Sequence, residues 1–539
     1  MEQGLRLSAG PARYKIIAMI LIRSRQTTLF LSGNMSEPGA EGSSRPEWTF
    51  IGRHDELTSL RRTLGQRRWF FVKITGRRRI GKTTLVRHAL EGSGRSVLYV
   101  QLPDSGEAGV LSQIADAMDT FAVPEDQFPR PHTMNQLAKT IEALARAGYV
   151  IVLDEFQYLN RKLFSEFCSL LQAAVDRLSA DAARVPGGLI VLGSVYTEMV
   201  ALLEERTAPL YNRVTESLEL GHLDISSVLA ILSRFAEATP ERLLFFWSLF
   251  EGVPKFYRDA FEQDVLDADR ADVLRRMFFE SSSPLRAEAD TWFLSELRGQ
   301  YDMVLKFVAR KPGRRNGELV REIESVVEGG RQKISSYLKV LAERYRLIER
   351  KQPVFAKPKA RQGRYYLTDN FLQSWLAALS NLVAARDFRP VDRLVQEADE
   401  RLCEVEGFAL ERLAGRLYEE RSRKGIGDFP LSARVQGFWD RGGIEIDLVV
   451  ISDELRTIRF GSCKRSAKKL LADVNHFRGH VDRYLANKPL PSGWRWELVA
   501  IAPVINSEQR AVLARHDVVP QDLNDLTDGL IPGGQRTLL

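Results

Sequence analysis

The sequence predicts an α/β protein: a parallel-sheet domain first, a helical middle, then a second α/β domain. Three observations carry this. Aromatic and β-branched residues fill 69–74 and run straight into a glycine-punctuated loop and a helical stretch. Further short apolar runs recur at 97–100, 149–153 and 189–193, with helical periodicity between them. Near the C-terminal end, 443–450 alternates apolar and polar residues, as a half-buried strand does, and 457–464 reads as its neighbour.

The 539 residues suggest three or four domains, at roughly 150 residues each. A hydrophobic share of 44% and a charged share of 27% are those of an ordinary globular chain, which excludes a disordered, collagen-like or multi-span membrane protein. Lys plus Arg is 77 and Asp plus Glu is 70, a net charge of +7. That permits a nucleic-acid partner without requiring one. Cys168, Cys403 and Cys463 form neither a disulfide framework nor a CxxC pair. This points to a reducing cytoplasm and excludes a zinc ribbon.

Residues 1–45 do not read as the start of a domain. The apolar run 16–22, flanked by Lys15, Arg23 and Arg25, is too short to span a bilayer, and no small-residue cleavage site follows it closely. The stretch 33–46 is a Gly/Ser/Glu/Pro linker. Met35 therefore reads as the first residue, with 1–34 an extension; the intact mass of the native protein tests this.

The strongest signal follows the first strand. Residues 76–83, GRRRIGKT, are G-x-x-x-x-G-K-T in strand-loop-helix context. Gly76 and Gly81 let backbone N–H groups turn inward around phosphates. Lys82 reaches the β- and γ-phosphates as a point charge, Thr83 ligates Mg²⁺, and Thr84 opens a helix whose N-terminus faces the anion. ATP with Mg²⁺ is the expected ligand. The run 149–153 ends in Asp154-Glu155: Asp154 would bind Mg²⁺, directly or through water, and Glu155 would polarise the attacking water. Ser194, at the end of 189–193, is either a γ-phosphate sensor or a helix N-cap. Arg213 either reaches phosphates, in cis or across a subunit interface, or is a plain surface residue.

These residues resemble a known family. FIGRHDEL at 50–57 resembles the opening motif of the archaeal-type P-loop ATPases, which are related to the AAA+ and STAND groups. GRRRIGKTTL, VIVLDEFQYL, LGS at 192–194, APLYNR at 208–213 and EGVPKFY at 251–257 follow in the family's order. The resemblance covers about 50–260. It implies an extra strand between the loop-bearing strand and the Asp-Glu strand, a G-x-P element near the nucleotide, and a match of Arg213 to the family's PLYxR arginine. Relatives of the AAA+ type suggest a homo-oligomer, by analogy of fold alone.

Beyond the helical region 225–310, two helices (316–327 and 332–345) and two strands (346–350 and 364–367) follow, with a turn at Gly329-Gly330. The loop between the strands carries Lys351, Lys357, Lys359 and Arg361. That is the order of a winged helix, whose second helix would enter a double-stranded DNA groove with Lys333, Ser335, Ser336 and Lys339 while the ribbon touches phosphates. The alternative is a winged helix used only for packing.

On the strand 443–450, Glu445 and Asp447 share one face; Ser462 and Lys464 share a face of the next strand; Glu411 lies upstream on a helix of about 402–421. An acid on a helix, an Asp on one strand and a Lys on its neighbour is a metal-nuclease arrangement, with Mg²⁺ at Asp447 and Lys464 beside the nucleophile. The stretch 400–503 resembles the PD-(D/E)xK restriction-endonuclease-like domain that follows this ATPase in many relatives, with Glu411, Asp447 and Lys464 on motif positions. Ser462 stands where the motif has Glu, and a hydroxyl is a poor Mg²⁺ ligand. Either Glu445 supplies the missing carboxylate, or the domain binds or packs without cutting.

The expected organisation is therefore 1–45 as extension and linker, 46–224 as a P-loop ATPase core on a parallel sheet, and 225–300 as a helical lid. A winged-helix-like domain at 301–375 and an α/β PD-(D/E)xK nuclease-like domain at 395–539 complete it. The expected function is ATP hydrolysis coupled to DNA handling in the cytoplasm, with no membrane partner. The alternative is a STAND-like nucleotide switch that controls assembly without nucleic-acid chemistry.

Overall fold

The computed structural model describes residues 47–194, 196–288, 301–324, 330–357 and 362–531. The expectations for 1–45, Gly329, Lys359 and Arg361 lie outside them. The chain divides into two compact units. Among the described residues, the first holds Glu47, 59–75 and 86–218, and the second holds 48–58, 76–85 and 219–531. None of the described helices is long and apolar enough to cross a membrane.

The first unit is organised by a five-stranded sheet in the order β2-β3-β4-β1-β5, where β1 is Phe70–Thr75, β2 Val97–Gln101, β3 Val150–Asp154, β4 Gly188–Gly193 and β5 Glu216–Glu219. β4 pairs in parallel with β1 (Val72 opposite Ile190) and with β3 (Val152 opposite Ile190). It is thus the intervening strand that the family resemblance implies. Every residue of β1, β3 and β4 is buried, as in a parallel sheet covered on both faces. The helices Met134–Arg146 and Ser165–Ala180 supply Leu137, Ile141, Leu171 and Val175 to the same core. Thr133 caps the first of them, accepting the Gln136 N–H. Gly188 has no room for more: a Cβ there would lie 2.3 Å from the Phe70 ring.

The second unit opens with helices Ile225–Phe235, Pro240–Phe250 and Pro254–Glu262. In Pro240–Phe250 every residue from Leu243 to Phe250 is buried, so this helix is core all round. Asp224 and Thr239 cap the first two, and proline occupies the first turn of the second and third. Helices Asn316–Ile323 and Gly330–Glu343 lie between the first two strands of a three-stranded sheet in the order β6-β8-β7 (β6 Arg314–Arg315, β7 Ile348–Lys351, β8 Arg364–Leu367).

The helix that carries Glu411 is longer than expected: it runs Val391–Arg423, starting directly after Pro390. Its first turns are rich in charge, yet Leu394, Val395, Ala398 and Leu402 continue the buried stripe. A second five-stranded sheet follows in the order β13-β12-β11-β10-β9 (β9 Gln436–Trp439, β10 Glu445–Ser452, β11 Thr457–Cys463, β12 Arg495–Ala502, β13 Val518–Asp522). β10 is antiparallel to β9 and β11, whereas β11, β12 and β13 run parallel. Leu448, Val450 and Val499 of this sheet join the core formed with the long helix; Ile446, Ile458 and Phe460 join the opposite core with helix Ala467–Asn487.

Candidate functional site

The loop after β1 belongs to the second unit. Gly76 and Gly81 have φ of +149° and +92°. A Cβ on Gly76 would lie 2.5 Å from the Leu220 carbonyl, so this turn requires glycine for space as well as for backbone angle. Lys82 is 8% exposed, and its Nζ donates to the carbonyls of Gly76 (2.8 Å) and Arg77 (3.0 Å). The helix Lys82–Leu90 begins within the motif, with Thr83 exposed and Thr84 half-buried in its first turn. Pro254 of the G-x-P element stands against the loop, its Cγ 3.6 Å from where a Gly81 Cβ would be.

Arg77 points away from the loop into a buried ionic cluster that the sequence did not reveal. It pairs with Asp369, and its Nη1 lies 3.1 Å from His222 Nε2. His222 Nδ1 is 3.0 Å from Glu251 Oε1, and Arg416 Nη2 is 2.9 Å from the same oxygen. The Asn370 N–H donates to Glu251 Oε2 (3.0 Å), and Arg412 donates to Asn370 Oδ1 (2.8 Å). Burial opposes the Glu251 charge, but His222, Arg416 and Arg412 outweigh it and hold the carboxyl well below its ordinary range. Burial lowers His222 despite Glu251 beside it. His222, Glu251 and Asp369 lie close enough to share a cation. Arg77 and Arg416 already supply the positive charge, so this donor set does not fit a divalent metal ion. Glu251 also occupies a strained conformation (φ 48°, ψ −118°) at the end of Pro240–Phe250. Nearby, Arg79 pairs with the buried Glu288 at 2.6 Å.

In the first unit, Asp154 is 5% exposed at the end of β3. Its Oδ2 accepts from Tyr99 Oη (2.6 Å), and its Oδ1 from the Glu155 N–H (2.8 Å). Glu155 is left-handed, with φ 57°. Its Oε2 accepts from Ser194 Oγ (3.2 Å) and from the Gln157 amide. Ser194 is therefore a partner of Glu155. Arg213 donates through Nε and Nη2 to Asp176, at 2.7 and 3.0 Å, and through Nη1 to the Tyr211 carbonyl. Tyr99 and Gln157 escaped the sequence reading, although Gln157 lies inside the DEFQYL run.

The second acidic group lies in the other unit. Asp447 Oδ2 accepts from the Cys463 N–H (2.8 Å) and lies 3.5 Å from Lys464 Nζ, which is also 3.5 Å from Asp473 Oδ2. Burial, and then the neighbouring Asp447 charge, drives the Glu411 carboxyl well above its usual range. Asp447 is raised too, by burial, against the pull of Lys464. Ser462 is 4% exposed, and its Oγ is 3.5 Å from Asp447 Oδ2, too far for a strong hydrogen bond. The Glu445 carboxylate is taken by Arg364 (2.6 Å to Nη1). Of the two alternatives, the one that uses Glu445 as the replacement ligand requires it to leave Arg364. The Glu445 N–H donates to His480 Nδ1 (2.7 Å), and His480, His476 and Asp473 continue as a contact series back to Lys464.

The flanks of the β7–β8 ribbon dock on the C-terminal sheet, and its tip at 358–361 lies outside the described residues. Val354 N–H donates to the Gly437 carbonyl (3.0 Å), Trp439 Nε1 to the Gln362 carbonyl (2.7 Å), and Arg315 Nη2 to the Asp440 carbonyl (2.9 Å). Arg364 also stacks over the Trp439 ring at 4.8 Å. Lys333, Ser335, Ser336 and Lys339 of helix Gly330–Glu343 are exposed.

Comparison with known proteins fits the first part of this description. Residues 69–193 match the family model of an AAA domain. An uncharacterised protein of Methanocaldococcus jannaschii is 25% identical over 435 residues, which cover 79% of this chain and 91% of that protein. Among solved structures, the Walker-type ATPase PABY2304 of Pyrococcus abyssi is 15% identical with a TM-score of 0.48, over 61% of this chain and 96% of its own. The ORC2 protein of Aeropyrum pernix is 17% identical with a TM-score of 0.33, over 68% and 97%. The family match spans β1, the glycine loop, Lys82 and the Asp154-Glu155 strand end, so residues 69–193 are similar to an AAA domain.

Proposed function

We propose that this protein couples ATP binding and hydrolysis to DNA handling, with 301–375 acting as a winged helix and 395–539 as a PD-(D/E)xK-like domain. Loop amides between Gly76 and Gly81 receive the phosphates, and Lys82 exchanges its carbonyl partners for phosphate oxygens. Thr83 and Asp154 are the residues that would each offer an oxygen to Mg²⁺, and bound Mg²⁺ would neutralise phosphate charge. Glu155 polarises the attacking water once its carboxylate is released by Ser194 and Gln157. Arg213 serves the phosphates only by giving up Asp176.

One observation carries the coupling. The buried polar series Arg77–His222–Glu251–Arg416 joins a residue of the phosphate loop to the helix that also presents Glu411. A change in the loop that shifts Arg77 removes charge from a site where an unpaired carboxylate is costly. The long helix responds as a rigid element.

ATP turnover measured with and without double-stranded DNA tests this reading. We expect a several-fold increase that Arg416→Ala abolishes while basal turnover persists. Unchanged turnover and unchanged DNA mobility refute it in favour of a STAND-like switch. One observation favours that second reading: two donors occupy Glu155, as expected of a slow hydrolase.

A further inference from the structure

The acidic group of the C-terminal sheet meets a cation brought by the ribbon. Arg364 of β8 stacks over Trp439 at 4.8 Å, and Trp439 is tied to the same ribbon through its Nε1, which donates to the Gln362 carbonyl (2.7 Å). Arg364 is thereby fixed, with its side chain only 16% exposed, and its Nη1 donates to Glu445 Oε1 at 2.6 Å. The Glu445 backbone is fixed as well, because its N–H donates to His480 Nδ1 (2.7 Å). Its side chain is 57% exposed and can swing without disturbing the strand.

That swing has a destination. Asp447 follows two residues later on β10, roughly 6.6 Å along the strand, a gap that a glutamate side chain can close. The contacts of Asp447 with the Cys463 N–H, Lys464 and Ser462 fall on Oδ2, so Oδ1 can serve a cation. Glu411 lines the same cavity as Asp447. Burial does most to raise these two carboxyls, and the Glu445 charge adds to the effect on both. Carboxylate oxygens beside a single lysine fit a hard divalent cation, and each further carboxylate tightens such a site. Ser462 supplies none, so Glu445 is the group that can. The guanidinium of Arg364 and a divalent ion then compete for one carboxylate.

We propose that Arg364 is a latch on the C-terminal site. While it holds Glu445, the site has two carboxylates; when the ribbon lets go, Glu445 turns to Asp447 and Glu411 and makes a set of three for a divalent cation. This rests on the nuclease-like reading of 395–539 and adds its control by the ribbon.

The test uses the full-length protein and Mn²⁺ alone, with affinity read by titration calorimetry. Asp447→Ala identifies the heat that belongs to this site. Arg364→Gln is expected to raise the affinity about tenfold, about 1.4 kcal/mol, and Arg364→Gln/Glu445→Gln to return it to the wild-type value. A thermal melt checks that each variant is folded. Should Arg364→Gln fail to fold, Arg364→Lys keeps the charge but loses the two-pronged fork, and a smaller gain of the same sign is expected. A gain that persists in the double variant would reflect lost positive charge alone and overturn the latch. So would an unchanged affinity in the single variants, while Asp447-dependent binding would uphold the nuclease-like reading. If neither the wild type nor any variant gives an Asp447-dependent signal, that reading fails too.

Discussion

Two acidic pairs stand out in this molecule, one at the end of β3 and one between the long helix and β10, and they are held in opposite ways. At the end of β3, Asp154 and Glu155 accept from neutral donors: the Tyr99 hydroxyl, the Glu155 N–H, Ser194 and Gln157. On the C-terminal sheet, Asp447 has one backbone donor and Lys464, while on the long helix burial and the Asp447 charge raise the Glu411 carboxyl above its usual range. The first pair is pre-shaped by hydrogen bonds that orient each oxygen. The second stores repulsion that a cation or a proton must relieve. One arrangement suits repeated turnover at fixed geometry, and the other suits a site that becomes ordered when it is filled.

Five substitutions break or sharpen that contrast. Lys82→Ala has the largest effect: nucleotide binding and turnover both disappear, as measured by calorimetry and phosphate release. Glu155→Gln keeps nucleotide affinity but lowers turnover by about 10²–10⁴-fold, the usual worth of a positioned general base. A variant that hydrolyses ATP at the wild-type rate would remove Glu155 from the mechanism. Ser462→Glu returns a carboxylate to the second pair and raises Mn²⁺ affinity roughly tenfold, about 1.4 kcal/mol, read by titration calorimetry. No gain in affinity would mean that the pair is not a metal site. Ser194→Ala loosens the first pair and changes turnover about tenfold or less, the worth of one hydrogen bond to a charged group. Arg213→Ala is the mildest. Its partner Asp176 is half-exposed, so stability changes by under about 1 kcal/mol. Turnover changes less than about twofold if Arg213 stays on Asp176, whereas a tenfold loss would show that it leaves to serve phosphates.

Local patterns were legible in the sequence, and distant partnerships were not. The strand, glycine loop and helix around Lys82 are contiguous, so spacing alone located them, and β1 and β8 stand within a residue of their expected bounds. The period of two read the strand itself, but it breaks at an irregularity between Ile446 and Val449 that sends Ile446 and Leu448 into opposite cores. It could not reveal Arg364, which arrives from a strand 81 residues earlier and occupies the Glu445 carboxylate. The charged residues at 391–401 hid the first turns of the long helix, because the apolar stripe there is thin. The phosphate-contact expectation for the ribbon rests on its basic loop, whose tip lies outside the described residues. That composition says nothing of Val354, which is buried against the C-terminal sheet. The expectations for 1–45 and for the loop tip lie outside the described residues.

The ionic cluster around Arg77 has a consequence for how the chain is made. Its members come from widely separated stretches, and the Asp369 partner of Arg77 is synthesised about three hundred residues later. A ribosome therefore releases the phosphate loop long before the groups that neutralise Arg77 exist. Pairing over such separations is slow, because closing the long loops costs chain entropy before any contact repays it. The first sheet can assemble during synthesis, but the loop that follows its β1 reaches its final surroundings only when the long helix has been delivered. A truncated chain lacking that helix would leave Glu251 buried without Arg416, so incomplete products carry a built-in fault that a protease can recognise.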